Sequence, residues 1–139
     1  MRIVLDTNAL LISIPRKSDY RLIFDSLLSG KFSLLVCNEI LFEYEEIIAE
    51  KANQIVAKNI IEMLLILKNV EKKEIYYKWN LINTDCDDNK FVDCAIAGSA
   101  DFIVSNDKHF RVLKKVEFPK VQVISIQKFL QMLQSLRFL

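Results

Sequence analysis

Residues 85–107 read DCDDNKFVDCAIAGSADFIVSND, and the order of features in that stretch decides the fold. Asp85, Asp87 and Asp88 form an acidic turn ahead of Phe91, Val92, Ala95 and Ile96, the charge placement expected where a helix macrodipole begins. Gly98 supplies a stop for that helix. Phe102-Ile103-Val104 is then a short apolar, β-rich run that delivers the polar trio Ser105-Asn106-Asp107. A helix followed by a buried strand that ends in a carboxylate is one unit of an α/β protein.

The same strand signature stands at the amino end, where Ile3-Val4-Leu5 runs into Asp6. Between the two, Asp19 is a candidate cap for a helix carrying Leu22, Ile23, Leu27 and Leu28, with Gly30 as its stop. Phe32 to Val36 reads as a second buried strand. Asn38 is a candidate cap for a helix through about Ala52, with Ile40, Leu41, Tyr44, Ile47 and Ile48 on its apolar side. Ile55, Ile60, Ile61, Leu64, Leu65 and Leu67 predict another helix, and Lys72 to Tyr76 a short edge strand. Val121 to Ile124 predicts a last strand before a carboxyl-terminal helix from about Gln127. Parallel neighbours need crossover helices that cover both faces, so this alternation predicts a three-layer α/β/α domain. Its central sheet should be mostly parallel, with four to five strands. Ligands of open parallel sheets bind beyond the carboxyl ends of the strands, which is where Asp6 and Asp107 fall.

At 139 residues, 52% of them hydrophobic, the chain predicts one domain spanning 1–139, with no internal repeat or linker. Asp6 interrupts the first apolar run too early for a secretory signal, and Ile60 to Leu67 is too short to span a bilayer. A cytoplasmic protein without membrane contact is expected. Cys37, Cys86 and Cys94 are odd in number and lack close paired spacing, so they read as buried thiols, not as a disulfide framework or a zinc site. The formal net charge of +1 gives no broad basic field, and any nucleic-acid binding must use a local patch.

Several chemistries are excluded. Gly30 and Gly98 are the two glycines, and neither opens a phosphate-cradling turn after a strand, which removes nucleotide-binding loops. His109 stands alone, so there is no two-histidine metal site, and no Gly-x-Ser-x-Gly elbow accompanies it. It reads as a surface or helix-end imidazole. What remains is carboxylate chemistry with hard cations, since oxygen ligands suit Mg²⁺ or Mn²⁺.

Asp6 at the end of a buried strand must bind a cation, accept hydrogen bonds or cap the next helix. Thr7 and Asn8 are short polar residues suited to orienting its oxygens. Asp107 repeats the arrangement, and close like charges are tolerable mainly when a cation compensates them. In Glu39-Ile40-Leu41-Phe42-Glu43-Tyr44-Glu45-Glu46, helical spacing puts Glu39, Glu43 and Glu46 on roughly one side, as a metal-facing or a solvated set. Asp88 caps its helix or faces the site, and Asp85 and Asp87 share that choice. Asp93 interrupts an apolar face, so it turns either to solvent or toward the site.

Leu5-Asp6-Thr7-Asn8, Glu43 within Cys37 to Glu46, and the two halves of residues 85–107 together resemble the PIN-domain family. The resemblance is closest to the branch forming toxin components of bacterial and archaeal toxin–antitoxin systems (VapC-like), and it covers nearly the whole chain. It implies a PIN-like three-layer sheet and an acidic quartet of Asp6, Glu43, Asp88 and Asp107 holding one or two Mg²⁺ or Mn²⁺ ions. It further implies Asn8 and Ser105 as polar supports and Asp93 as an auxiliary ligand. Ser105 stands where the family often has threonine, which preserves the hydroxyl. The family's middle acids vary in register, which leaves Glu39 as the alternative to Glu43, and Asp85 or Asp93 as alternatives to Asp88. The implied activity is hydrolysis of single-stranded RNA, with a cognate antitoxin and a homodimer as partners. Lys90, Lys108, Arg111, Lys114 and Lys115 are candidates to grip RNA phosphates. The rival expectation is a catalytically silent PIN-like module that binds protein or RNA.

Overall fold

The computed structural model describes residues 1–136. Five strands, β1 (Arg2–Leu5), β2 (Ser33–Val36), β3 (Val70–Lys72), β4 (Phe102–Val104) and β5 (Val123–Ile124), form one sheet in the order β3-β2-β1-β4-β5. Every pairing is parallel. Ile3, Val4 and Leu5 lie opposite Phe102, Ile103 and Val104, and all three β1 residues are fully buried. Successive strand residues point to opposite faces, so burial of three consecutive residues, Ile3 to Leu5, means that both faces of the sheet are covered there.

The cover comes from α1 (Thr7–Ser13), α2 (Arg21–Leu28), α3 (Asn38–Lys51), α4 (Gln54–Ile66), α5 (Asn89–Ala97) and α6 (Ile126–Leu136). The helix α5 lies against β1, β2 and β4, while α3 packs on α4 and α2 on α6. Gly98 at the end of α5 lets that helix pack close on β2: a Cβ there would stand 2.5 Å from Leu35 Cδ1, so that side chain would have to shift. Gly30 takes φ +77° just beyond α2, a left-handed conformation that glycine adopts without cost.

The α/β architecture is the expected one, with differences at the element ends. The helix α1 was expected only through the option that Asp6 caps a following helix, with no bounds of its own. Asp6 nucleates it by accepting the Ala9 N–H at 2.8 Å, and burial of Ala9 and Leu10 holds it. Asp19 does not cap α2; Tyr20 holds that position, and Ser18 Oγ accepts the Tyr20 N–H at 3.0 Å. Cys37 takes the cap position of α3, with Asn38 as the first helical residue. The edge strand expected at Lys72 to Tyr76 is Val70–Lys72 instead, because only the Lys73 N–H continues the ladder, onto the Val36 carbonyl at 2.7 Å. Cys37 and Cys94 are buried, but Cys86 is exposed, on a 3₁₀ turn over Cys86–Asp88. Among the described residues no helix is long and apolar enough to cross a membrane.

The chain adds β2 and β3 on one side of β1, then returns to place β4 and β5 on the other. That reversal makes the β1–β4 boundary the switch point where loops diverge and leave a crevice.

Candidate functional site

Asp6 leaves β1 at that boundary with 8% of its surface exposed. Its Oδ1 is occupied by the Ala9 N–H, and its Oδ2 accepts a hydrogen bond from Ser105 Oγ at the end of β4. Burial raises the Asp6 pKa and the negative Asp107 and Glu43 add to the rise, against the two hydrogen bonds that lower it. A carboxylate in this position gains from any nearby cation.

Ser105 organises the second acid as well, since its Oγ accepts the Asp107 N–H at 3.0 Å. Asp107 Oδ1 then accepts the His109 N–H at 2.9 Å, capping the 3₁₀ helix Lys108–Lys115. Asn106 turns the other way and accepts the Ile126 N–H at 2.9 Å, tying this loop to the start of α6.

Asp88 occupies the cap position of α5 without a side-chain capping bond, so its carboxylate is available elsewhere. It lies 3.2 Å from His109 Nδ1, as does Asp107 Oδ1, and Asp85 Oδ2 lies 3.7 Å away. His109 is a helix-end imidazole, as expected, the second residue of the 3₁₀ helix Lys108–Lys115, but its ring faces three carboxylates. Burial is the largest cause pushing the Asp88 pKa up to about 6; His109 opposes it, and Asp107 and Asp85 reinforce it. Donor atoms of Asp85, Asp88 and His109 all lie within 4.8 Å of one another. Asp85 also caps the 3₁₀ turn by accepting the Asp87 N–H at 3.1 Å, while Asp87 itself stays exposed.

Glu43 reaches the same edge from α3. The buried Tyr44 beside it donates to the Leu5 carbonyl at 2.6 Å, pinning α3 to the end of β1. Glu43 Oε2 accepts a hydrogen bond from Thr7 Oγ1, and Oε1 pairs with Lys90 Nζ at 2.8 Å. Glu39 instead faces Lys78 at 3.8 Å in solvent. Glu46 lines a surface groove between α3 and α4.

Two expected members stand apart. Asp93 neither turns to solvent nor joins the cluster: it is buried, and its Oδ1 accepts the Trp79 main-chain N–H at 3.0 Å. It lies more than one helical turn beyond Asp88 on α5, which carries it away from the strand ends. Lys90 does not lie open to solvent; its side chain is 9% exposed, and Nζ also donates to the Asp87 carbonyl at 2.8 Å. Arg111 and Lys114, with Ser105, Asn106 and Asp107, line a groove of about 270 Å³ beside β5. Lys108, Lys115 and Asn8 are exposed.

Tyr44 was expected only on the apolar side of α3, not as its pin. Asn89, unexpected from its sequence, is buried and clamps Ile82 through both its N–H and its carbonyl at 2.9 Å, fixing the approach to the Asp85 turn. Asn89 follows the acidic triplet directly, and a buried amide at a helix start is a signal of such a clamp.

Oxygen donors on three loops and one helix, with an imidazole among them, suit a divalent cation of the hard or borderline class. Burial is the main cause of the upward shifts at Asp6 and Asp88 and the neighbouring carboxylates add to it, so a cation at this edge would favour the ionised forms of both.

By fold the chain is similar to a chain of VapBC2 from Rickettsia felis, crystallised bound to a DNA fragment from their promoter. The TM-score is 0.62 at 15% identity, over 90% of this chain and 98% of that one. No curated protein matches by sequence. The family model described as PIN domain matches residues 2–109, a span that holds Asp6, Glu43, Asp88 and Asp107, and the chain belongs to the PIN domain family.

Proposed function

We propose that this PIN domain is a metal-dependent endoribonuclease that hydrolyses single-stranded RNA and serves as the toxin of a type II toxin–antitoxin pair. The observation that carries this reading is the gathering of Asp6, Asp88 and Asp107, with Glu43 beside them, at one sheet edge, where burial and mutual repulsion raise Asp6 and Asp88. Asp6, Glu43, Asp88 and Asp107 would hold one or two Mg²⁺ or Mn²⁺ ions, whose Lewis acidity activates water and stabilises charge on the phosphate.

The chain's own residues prepare that site. Ser105 fixes one Asp6 oxygen and the Asp107 main chain together, so two acids are set by a single hydroxyl. Thr7 holds Glu43 from α1. Arg111 and Lys114, with Lys108 and Lys115 near them in sequence, are the cations proposed to grip RNA phosphates flanking the cut. Hydrolysis then needs no protein nucleophile.

An antitoxin partner is supported by the likeness to a VapBC2 chain and by the surface groove between α3 and α4. That groove is lined by Phe42, Glu45, Glu46, Ala49, Glu50 and Gln54, and Phe42 is 70% exposed. A cytoplasmic homodimer built of one PIN unit per chain completes the proposal. The silent-module reading draws on a specific observation too, since Lys90 and His109 already stand against the acids.

Cleavage of a labelled single-stranded RNA by purified protein separates the two. Mn²⁺-dependent cutting, lost in folded Asp6→Asn and Asp107→Asn variants, supports the nuclease. Cutting that survives both substitutions, or none under any divalent ion, rejects it.

A further inference from the structure

The chain has one histidine, and the acidic quartet proposed above makes no use of it. Its position is nonetheless set with care. The main-chain N–H of His109 is held on Asp107 Oδ1 at 2.9 Å, so the 3₁₀ turn itself carries the ring over the loop between β3 and α5. Nδ1 then meets Asp88 Oδ2 at 3.2 Å, Asp107 Oδ1 at 3.2 Å and Asp85 Oδ2 at 3.7 Å. One ring N–H serves a single acceptor well, yet oxygens of three carboxylates converge on this one nitrogen. Neighbouring ligands on an octahedral ion with bonds of about 2.1 Å stand about 3 Å apart; Asp88 meets that spacing from Nδ1 at 3.2 Å, Asp85 stands a little wider at 3.7 Å, and donor atoms of all three residues lie within 4.8 Å of one another.

We propose that His109 Nδ1 is itself a metal ligand, sharing a divalent ion with Asp88 and Asp85 in a mixed nitrogen–oxygen site that favours Mn²⁺ over Mg²⁺. The inference rests on the metal-dependent reading of this edge and adds to it a donor and a cation preference. Carboxylate and water suit Mg²⁺, whereas an imidazole nitrogen favours first-row transition ions. The shared ion replaces the ring proton as the group that all the converging oxygens face. Asp107, already engaged by the His109 main chain, borders the site on the side of Asp6.

Because His109 is the one imidazole, imidazole nitrogen coupling to a bound ion has a single source in protein prepared without a histidine tag. The test is the electron spin-echo modulation of the protein loaded with Mn²⁺ alone. Imidazole ¹⁴N modulation is expected in the wild type and lost in His109→Gln, whose Mn²⁺ affinity by calorimetry should fall at least about tenfold, with a smaller loss for Mg²⁺. Mn²⁺ bound without nitrogen modulation overturns the His109 proposal and leaves a carboxylate-only metal site standing. No Mn²⁺ binding at all overturns the metal reading of the edge and this proposal with it. The wild-type spectrum decides between these outcomes whether or not the variant folds.

Discussion

Ser105 Oγ donates a hydrogen bond to Asp6 Oδ2 across the β1–β4 boundary, joining residues 99 positions apart. The same oxygen accepts the Asp107 N–H, so one hydroxyl orients two acids of the proposed site. Ser105→Ala should lower RNA cleavage about 10- to 100-fold with little change in the circular dichroism spectrum, while Ser105→Thr keeps most of the activity. Equal rates for all three proteins in a single-turnover assay would remove Ser105 from the site.

Asp88 gives the pH dependence its sign. Its carboxyl titrates at about 6 in the folded chain against an ordinary 3.8, so the folded state holds the extra proton between those values. Metal-free protein should therefore lose stability as pH rises through that window, by an amount on the order of 2–3 kcal/mol once Asp88 is fully ionised. A divalent ion competes with that proton, so Mn²⁺ affinity and cleavage should both rise with pH through about 6. Asp88→Asn should raise the melting temperature of the metal-free protein at neutral pH and remove its stabilisation by Mn²⁺. Thermal melts with chelator and with Mn²⁺ across this range check both halves.

Lys90 and Glu43 form a pair that is sheltered on the lysine side, with side-chain exposures of 9% and 26%. Removing a charge from such a pair leaves the partner under-solvated, though Glu43 regains some water. Lys90→Met, which keeps the alkyl stem but removes the ammonium that pairs with Glu43 and lies 5.4 Å from the Phe91 ring centroid, should cost about 1–2 kcal/mol in urea unfolding. A variant as stable as the wild type would mean that the pair contributes nothing.

Arg111 and Lys114 share a groove with Asp107. If this groove carries the RNA backbone, Arg111→Ala with Lys114→Ala should weaken binding of uncleaved RNA in chelator and flatten the salt slope by about 1–2. Melting temperature should stay unchanged, because both side chains are exposed. An unaltered slope would direct the search to another basic surface.

The parts of this architecture legible in sequence were those written in local chemistry. Ile3-Val4-Leu5 before Asp6 and Phe102-Ile103-Val104 before Ser105 announced parallel strands with acids at their ends, and both lie in adjacent register. The helix α1 was legible only as a helix that Asp6 could cap, because Thr7 and Asn8 are poor helix formers and the element's extent depends on burial of Ala9 and Leu10. Asp6, Asp88 and Asp107 were singled out by their places before or after regular elements. The encounter of His109 with Asp85 and Asp88 joins residues about two dozen positions apart through the tertiary fold, and no local pattern encodes it. The same holds for Lys90, whose position in α5 is readable but whose partner on α3 is not.

The most direct measurement is the anomalous difference map of a crystal soaked in Mn²⁺. A peak within coordination distance of carboxylate oxygens from the Asp6, Asp88 and Asp107 loops, at about 2.1 Å, is the predicted result. A well-ordered soaked crystal with those oxygens bare, or with Mn²⁺ seated only elsewhere, would contradict a metal-dependent nuclease at this sheet edge.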